Sequence, residues 1–187
     1  MIGPRESERL WERHILNSAL LGDAIPQSVS VIDVGSGAGL PGIPLAITRP
    51  DLQVTLVEPL ARRVTFLEEV VADLGLSDRV QVVRARAEEA SPLQAQVITA
   101  RAVANLSKLI TWCWPLVAAG GQLLLLKGEQ AEAEITEATN LLRKKRLQAE
   151  MLVQGEGEQS IRLVRVSRIR AATSPDGTLA TGKAGND

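Results

Sequence analysis

Two hydrophobic periodicities follow one another along the chain. In residues 1–24, Leu10, Trp11, Ile15, Leu16, Ala19 and Leu20 recur at helical spacing, and Pro26 with Gln27-Ser28 ends the pattern. From Val29 onward, short apolar runs alternate with longer amphipathic stretches. Val29–Val34, Gln53–Val57, Val80–Val83, Gln96–Thr99 and Gln122–Leu126 read as strands, the fifth very apolar, and the alternation with helices implies a sheet covered on both faces. Between them, Pro41–Ile47, Ala61–Leu74 closed by Gly75, Leu106–Ala118 stopped by Gly120-Gly121, and Ala131–Arg146 read as helices. Met151–Val153 and Ile161–Val166 form a final antiparallel pair turning at Gly155 and Gly157. The alternation predicts an α/β fold: a mostly parallel seven-stranded sheet, helices on both faces, and an antiparallel C-terminal strand pair. Residues 25–169 would form one domain behind the N-terminal helical segment 1–24. The polar, Gly-rich stretch 170–187 reads as a disordered tail.

Composition sharpens this picture in two places. Aromatics make up 2% of the chain, with Trp11, Phe66, Trp112 and Trp114 and no tyrosine, so the core has to be aliphatic. A formal charge of −1 removes any global basic footprint, and any nucleic-acid contact would fall to local clusters. Arg143-Lys144-Lys145-Arg146 and the series Arg162, Arg165, Arg168, Arg170 are the candidates, and a solvated helix face explains the first equally well. A single cysteine cannot form an intramolecular disulfide, and no apolar run has the length of a membrane span. Without a signal-peptide pattern at residues 1–10, the expectation is a cytoplasmic monomer with no membrane partner and no metal.

The chemistry concentrates after the first strand, in Val31-Ile32-Asp33-Val34-Gly35-Ser36-Gly37-Ala38-Gly39-Leu40-Pro41-Gly42. Glycines there let the backbone turn sharply and let a ligand approach where a Cβ would collide. Gly37-x-Gly39-x-x-Gly42 matches a dinucleotide fingerprint, with Glu58 at about the distance of a ribose-binding acid. The register argues otherwise. Gly35 follows the strand directly, and Asp33 just before it would repel a pyrophosphate while suiting an ammonium and a sulfonium. Pro41 removes an N–H that a phosphate would want. S-adenosyl-L-methionine is therefore favoured over NAD, with Glu58 placed to accept from both ribose hydroxyls.

Other motifs narrow the methyl acceptor. The chain has neither Pro-Pro nor Tyr, so it lacks the loop usual for exocyclic amines. Its single cysteine, Cys113, lies in the apolar run Trp112-Cys113-Trp114-Pro115 and reads as core, not as the nucleophile that pyrimidine C5 requires. Guanine N7 carries a free lone pair at neutral pH, so attack needs placement and desolvation but no general base. The one histidine, His14, sits beside the apolar face of the first helix and reads as structural.

Taken in order, several segments resemble the ribosomal RNA small subunit methyltransferase G family over about residues 10–166. They are Arg13-His14-Ile15-Leu16-Asn17-Ser18, Ile32 through Ala46 with its Gly-Leu-Pro-Gly-Ile-Pro extension, Arg62-Arg63-Val64-x-Phe66-Leu67, Arg86-Ala87-Glu88-Glu89, Ala100-Arg101-Ala102 and Leu126-Lys127-Gly128. The resemblance implies a Rossmann-like class I methyltransferase that methylates guanine N7 in 16S ribosomal RNA, near the decoding centre, within the 30S subunit or a precursor. By position it implies that Gly35, Gly37 and Leu40 line the cofactor and that Ala87-Glu88 meet the adenine. It also implies that Arg101 faces the methionine end or the target base. Arg13, His14 and Lys127 are then candidates for the RNA side. Two departures stand out: family members usually carry a longer helical N-terminal region, and Asn17 stands where aspartate is usual. The competing readings are a methyltransferase with another substrate, a nicotinamide-dependent oxidoreductase, and a non-catalytic, cofactor-binding ribosome-assembly factor.

Overall fold

The computed structural model describes residues 15–90, 92–101 and 104–169. Seven strands form one sheet: β1 (Ser30–Val34), β2 (Gln53–Val57), β3 (Val80–Val83), β4 (Ala95–Arg101), β5 (Val117–Lys127), β6 (Leu147–Gln154) and β7 (Ile161–Arg168). Their order is β3-β2-β1-β4-β5-β7-β6. The first five run parallel, while β7 pairs antiparallel with both β5 and β6. The fold class read from the hydrophobic pattern is the one observed. Six helices flank the sheet: α1 (Asn17–Asp23), α2 (Gly42–Thr48), α3 (Ala61–Asp73), α4 (Leu106–Cys113), α5 (Ala131–Glu137) and α6 (Thr139–Lys145).

Strand alternation divides the aliphatic core in two. On one face Val31, Val54, Val97, Leu124 and Leu163 pack with Leu21 of α1, Leu45 of α2 and Leu67 of α3. On the other, Ile32, Ile98, Leu123, Leu125 and Val164 pack with Leu106, Leu109, Ile110 and Cys113 of α4 and Leu142 of α6. The chain reverses direction across the sheet between β1 and β4, opening a crevice at their carboxyl ends. Register then places Val34 beside both Val57 and Ala100, and Val57 beside Val83, so four strands end together.

Several boundaries differ from the sequence reading. The helix expected over Leu106–Ala118 ends at Cys113 and tightens into a 3-10 turn over Trp114–Leu116, because Pro115 cannot donate the next helical bond. Strand β5 begins earlier than expected. It pairs Val117 with Ala95 but Gln122 with Val97, so residues 118–121 bulge. Gly121 lies so close to the Gln96 carbonyl that a Cβ would sit 2.6 Å from it. The helix expected over Ala131–Arg146 divides at Ala138, and Arg146 closes α6 in a left-handed conformation. Both C-terminal strands are longer than read, but their antiparallel pairing is as expected. The tail 170–187 and most of segment 1–24 lie outside the described residues.

Candidate active site

A cleft of about 500 Å³ opens at the carboxyl ends of β1 to β4, within the range of small-molecule and cofactor sites. Val34 and Gly35 form its floor. Glu58, Pro59 and Leu60 after β2, with Arg63 of α3, make one wall. Arg86, Ala87 and Glu88 after β3 make the next, and Arg101 at the end of β4 with Trp112 of α4 closes the far side. The sequence reading named Gly35, Glu58, Ala87, Glu88 and Arg101, and parallel register brings all five to this one cleft. Leu60, Arg63, Arg86 and Trp112 were not among its candidates. Trp112 had a readable signal: the buried stripe of α4 is Leu106, Leu109, Ile110 and Cys113, and Trp112 falls off that stripe.

The loop after β1 is held from below. Gly35, Gly37 and Gly39 have φ of 72°, 59° and 87°, a region that disfavours any side chain with a Cβ. Gly35 N–H and Ser36 N–H donate to the Val57 carbonyl at 2.8 and 3.2 Å, tying the loop to the end of β2. Glu58, only 1% exposed, completes the tie. Its Oε2 accepts from Gly37 N–H and its Oε1 from Leu60 N–H, both at 3.0 Å, and Arg63 Nη1 approaches Oε2 at 3.6 Å. The carboxylate thus binds the glycine loop to the start of α3. Its two oxygens offer about four acceptor sites, so positions remain for a ligand diol on the cleft side. Fit to a nucleoside therefore rests on residues present: a backbone floor without Cβ at Gly35, a carboxylate at the second wall, and the Ala87-Glu88 turn at the third.

Asp33 corrects the electrostatic reading. Period-two alternation turns its side chain into the face of the sheet beneath α2, where it is fully buried and outside the cleft lining. Its Oδ2 accepts from Gly42 N–H at 3.0 Å, fixing the first residue of α2. A Cβ at Gly42 would lie 2.8 Å from that oxygen and collide with Leu56. Burial pushes the Asp33 carboxyl up to about 7, against the opposing pull of the Gly42 N–H and of Arg101. Its Oδ1, and Thr99 Oγ1 on the register partner in β4, have no hydrogen-bond partner among the described residues. Asp33 therefore organises the loop from beneath and presents no surface anion to a ligand.

The remaining candidates are placed apart from the cleft lining. Gly37 reaches the site only through its N–H to Glu58, and Leu40 is a core residue at 8% exposure. Lys127 extends inward: its Nζ donates to the Ala104 carbonyl and pairs with Glu134, each at 2.8 Å, with the side chain 8% exposed. Arg13 and His14 lie outside the described residues. Cys113 is buried, and burial pushes its thiol up to about 12, as suits a core thiol. Arg143, Lys144 and Lys145 occupy the last turn of α6, where cations complement the helix dipole. Since β6 runs parallel to β5 and begins directly after them, they sit at the end of the sheet opposite the cleft. Among the described residues no group of three or more metal-ligating side chains occurs, and no helix is long and apolar enough to cross a membrane.

The sheet order, the glycine loop at the β1 switch point and the acid ending β2 define a Rossmann-like, S-adenosyl-L-methionine-dependent methyltransferase of class I. A ribosomal protein L11 methylase from Lactobacillus delbrueckii subsp. bulgaricus shares the fold at a TM-score of 0.64 and 20% identity, covering 83% of this chain and 77% of that one. The family model for rRNA small subunit methyltransferase G matches residues 1–162. The ribosomal RNA small subunit methyltransferase G of Kineococcus radiotolerans is 53% identical over 183 residues, spanning 94% of this chain and 72% of its own. That of Streptomyces coelicolor is 52% identical over 186 residues, spanning 98% and 77%. The chain belongs to the ribosomal RNA small subunit methyltransferase G family.

Proposed function

We propose that this chain transfers a methyl group from S-adenosyl-L-methionine to N7 of a guanine in 16S ribosomal RNA, carried in the 30S subunit or a precursor. The observation that carries the reading is the convergence of Gly35, Glu58, Ala87-Glu88 and Arg101 on one cleft, in a chain of this family. Gly35 leaves room for the nucleoside, Glu58 takes the ribose diol, and the Ala87-Glu88 turn reads the adenine edge. Arg101 is assigned to the methionine end or to the target base. When bound, the cofactor supplies a methyl group on a positively charged sulfur. The rest is placement: Trp112 and Arg101 border the side opposite Glu58, where the base would stack and displace water. The N7 lone pair loses no proton, so no side chain has to serve as base.

RNA backbone contact is assigned to Arg86, which lines the cleft, and to Arg62 and Arg84, neighbours in sequence of its lining segments. Arg62, Arg84 and Arg86 are exposed and form no ion pair among the described residues. Arg62 stands in the first turn of α3, where a cation opposes the helix dipole by about 0.3–1 kcal/mol. A phosphate there would remove the penalty.

Tritium transfer from labelled cofactor to 30S subunits of a strain lacking this methylation tests the proposal. Label is expected in 16S RNA, at a guanine that becomes sensitive to N7-directed strand cleavage. Label in protein or in a small molecule, or none at all, overturns it. In parallel, S-adenosylhomocysteine should raise the melting temperature while NAD leaves it unchanged.

A further inference from the structure

Arg101 ends β4, and Ala104 and Asn105 lead into α4, which carries Trp112. Both side chains line the cleft, and with Arg101 taken at the target base, the second of its two assignments, their spacing depends on how the β4–α4 connection is held. Two groups from elsewhere hold it. Lys127 Nζ donates to the Ala104 carbonyl at 2.8 Å, and Glu134 Oε2 accepts from Leu106 N–H at 2.6 Å. The two side chains are joined at 2.8 Å through that same carboxylate oxygen. One ion pair, from the end of β5 and from α5, thus supplies a donor to a carbonyl and an acceptor to an amide of a single connection.

The placement gives the contact leverage. Register sets Arg101 beside Leu126, so Lys127 lies one step beyond the arginine's own strand partner. Leu106 is the first residue of α4, with Asn105 capping Lys108 N–H at 3.1 Å. Trp112 follows six residues later, about 9 Å along a rigid helix, so a shift at Leu106 carries through to it. An exposed ion pair could be broken with little effect. This one is largely shielded, with side-chain exposures of 8% and 21%, and it is committed to the backbone at both ends.

We propose that Lys127 and Glu134 are positioning residues for methyl transfer: together they clamp the β4–α4 connection and set the acceptor side of the cleft, leaving cofactor affinity to the Glu58 side. This role rests on the methyl-transfer reading. It replaces the expectation that Lys127 meets an RNA phosphate, since its ammonium is already committed to Ala104 and Glu134.

The test compares Lys127→Met, Lys127→Arg, Glu134→Gln and the exchange Lys127→Glu with Glu134→Lys. The readouts are kcat and KM for 30S subunits and S-adenosylhomocysteine affinity, all taken well below each variant's melting temperature. Lys127→Met should lower kcat about tenfold to hundredfold, the scale of a misplacement near 1 Å, with cofactor affinity within about twofold of wild type. Lys127→Arg, which keeps a donor for both oxygens, should recover most of the loss. The exchange should fail to recover it, because it sets a carboxylate against the Ala104 carbonyl and an ammonium against the Leu106 amide. Recovery by the exchange, an unchanged kcat in Lys127→Met, or a raised KM with altered salt dependence and intact kcat would each overturn the proposal. Cofactor affinity falling in step with kcat would do the same. Wild-type enzyme that transfers nothing sinks the RNA reading instead. The clamp is then judged by amide exchange over residues 104–113, which must quicken in Lys127→Met while cofactor affinity holds.

Discussion

Glu58 is the residue on which the cofactor side can be tested most sharply, because one carboxylate serves two purposes. It pins the glycine loop through Gly37 N–H and the start of α3 through Leu60 N–H, both at 3.0 Å and shielded from water. A hydrogen bond to a charged acceptor contributes about 1.5–3 kcal/mol. Glu58→Ala therefore removes roughly 3–6 kcal/mol of interaction, reduced where water enters from the cleft to reach the freed N–H groups. A net loss of about 2–4 kcal/mol of stability is expected. At about 2–4 °C per kcal/mol for a chain of this size, the melting temperature should fall by roughly 4–16 °C. On the ligand side, losing the ribose contacts should weaken S-adenosylhomocysteine binding by about 1–3 kcal/mol, fivefold to about 150-fold. Glu58→Gln separates the purposes: it keeps one acceptor oxygen and turns an NH2 toward one of the two N–H groups. An intermediate melting temperature and weakened binding should result. Thermal unfolding without ligand reads the pin, and calorimetric titration reads the ribose contact. An alanine variant melting within about 1 °C of wild type would refute the pin, and one with unchanged affinity would refute the ribose assignment.

Three further outcomes follow from buried groups. Asp33 titrates at about 7 in the fold and at about 3.8 when unfolded; between those values the native state holds a proton that the unfolded chain releases. Stability should therefore fall with rising pH by up to about 1.4 kcal/mol per unit from pH 4 to 7 and then level off. Asp33→Asn, which keeps an acceptor for Gly42, should remove that slope, and parallel denaturation profiles for the two proteins would contradict it. Gly42→Ala gains at most about 1 kcal/mol of helix propensity but drives a Cβ against Leu56 and Asp33, an overpacking that costs about 1–3 kcal/mol. Net destabilisation by denaturant melts is expected, and a more stable variant would show that the contact relaxes freely. Cys113, buried with its thiol near 12, should resist alkylation at pH 8 until the protein unfolds. Rapid labelling of native protein would disprove its burial.

The positions of strands and helices were legible because burial imposes its period on the sequence. Continuous apolar runs such as Leu123 to Leu126, and the stripe of α4, follow directly from the layers they face. Boundaries were less legible where a local group overrides the period. Pro115 ends α4 early, the bulge at residues 118–121 starts β5 early, and a break at Ala138 divides a helix that the charge pattern shows as continuous to Arg146. The glycine loop and Glu58 stood out because both flank strand ends. Arg63 and Arg86 did not, since a charged residue near a strand end reads equally well as solvated surface.

What the chain's order of residues determined alone was a doubly covered parallel sheet with a nucleoside-sized gap after its first strand. Gly35, Gly37 and Gly39 are needed there whatever surrounds them, because only glycine adopts their backbone angles without strain. What the tertiary structure decided was the direction in which each polar side chain points. Asp33, beside the loop in sequence, is turned beneath it by the pleat of β1, and Lys127, expected at the RNA, is drawn inward to Ala104 and Glu134. Neither outcome can be read along the chain, because each depends on partners that strand pairing brings together from distant residues, and an isolated charge carries no record of the partner it will meet.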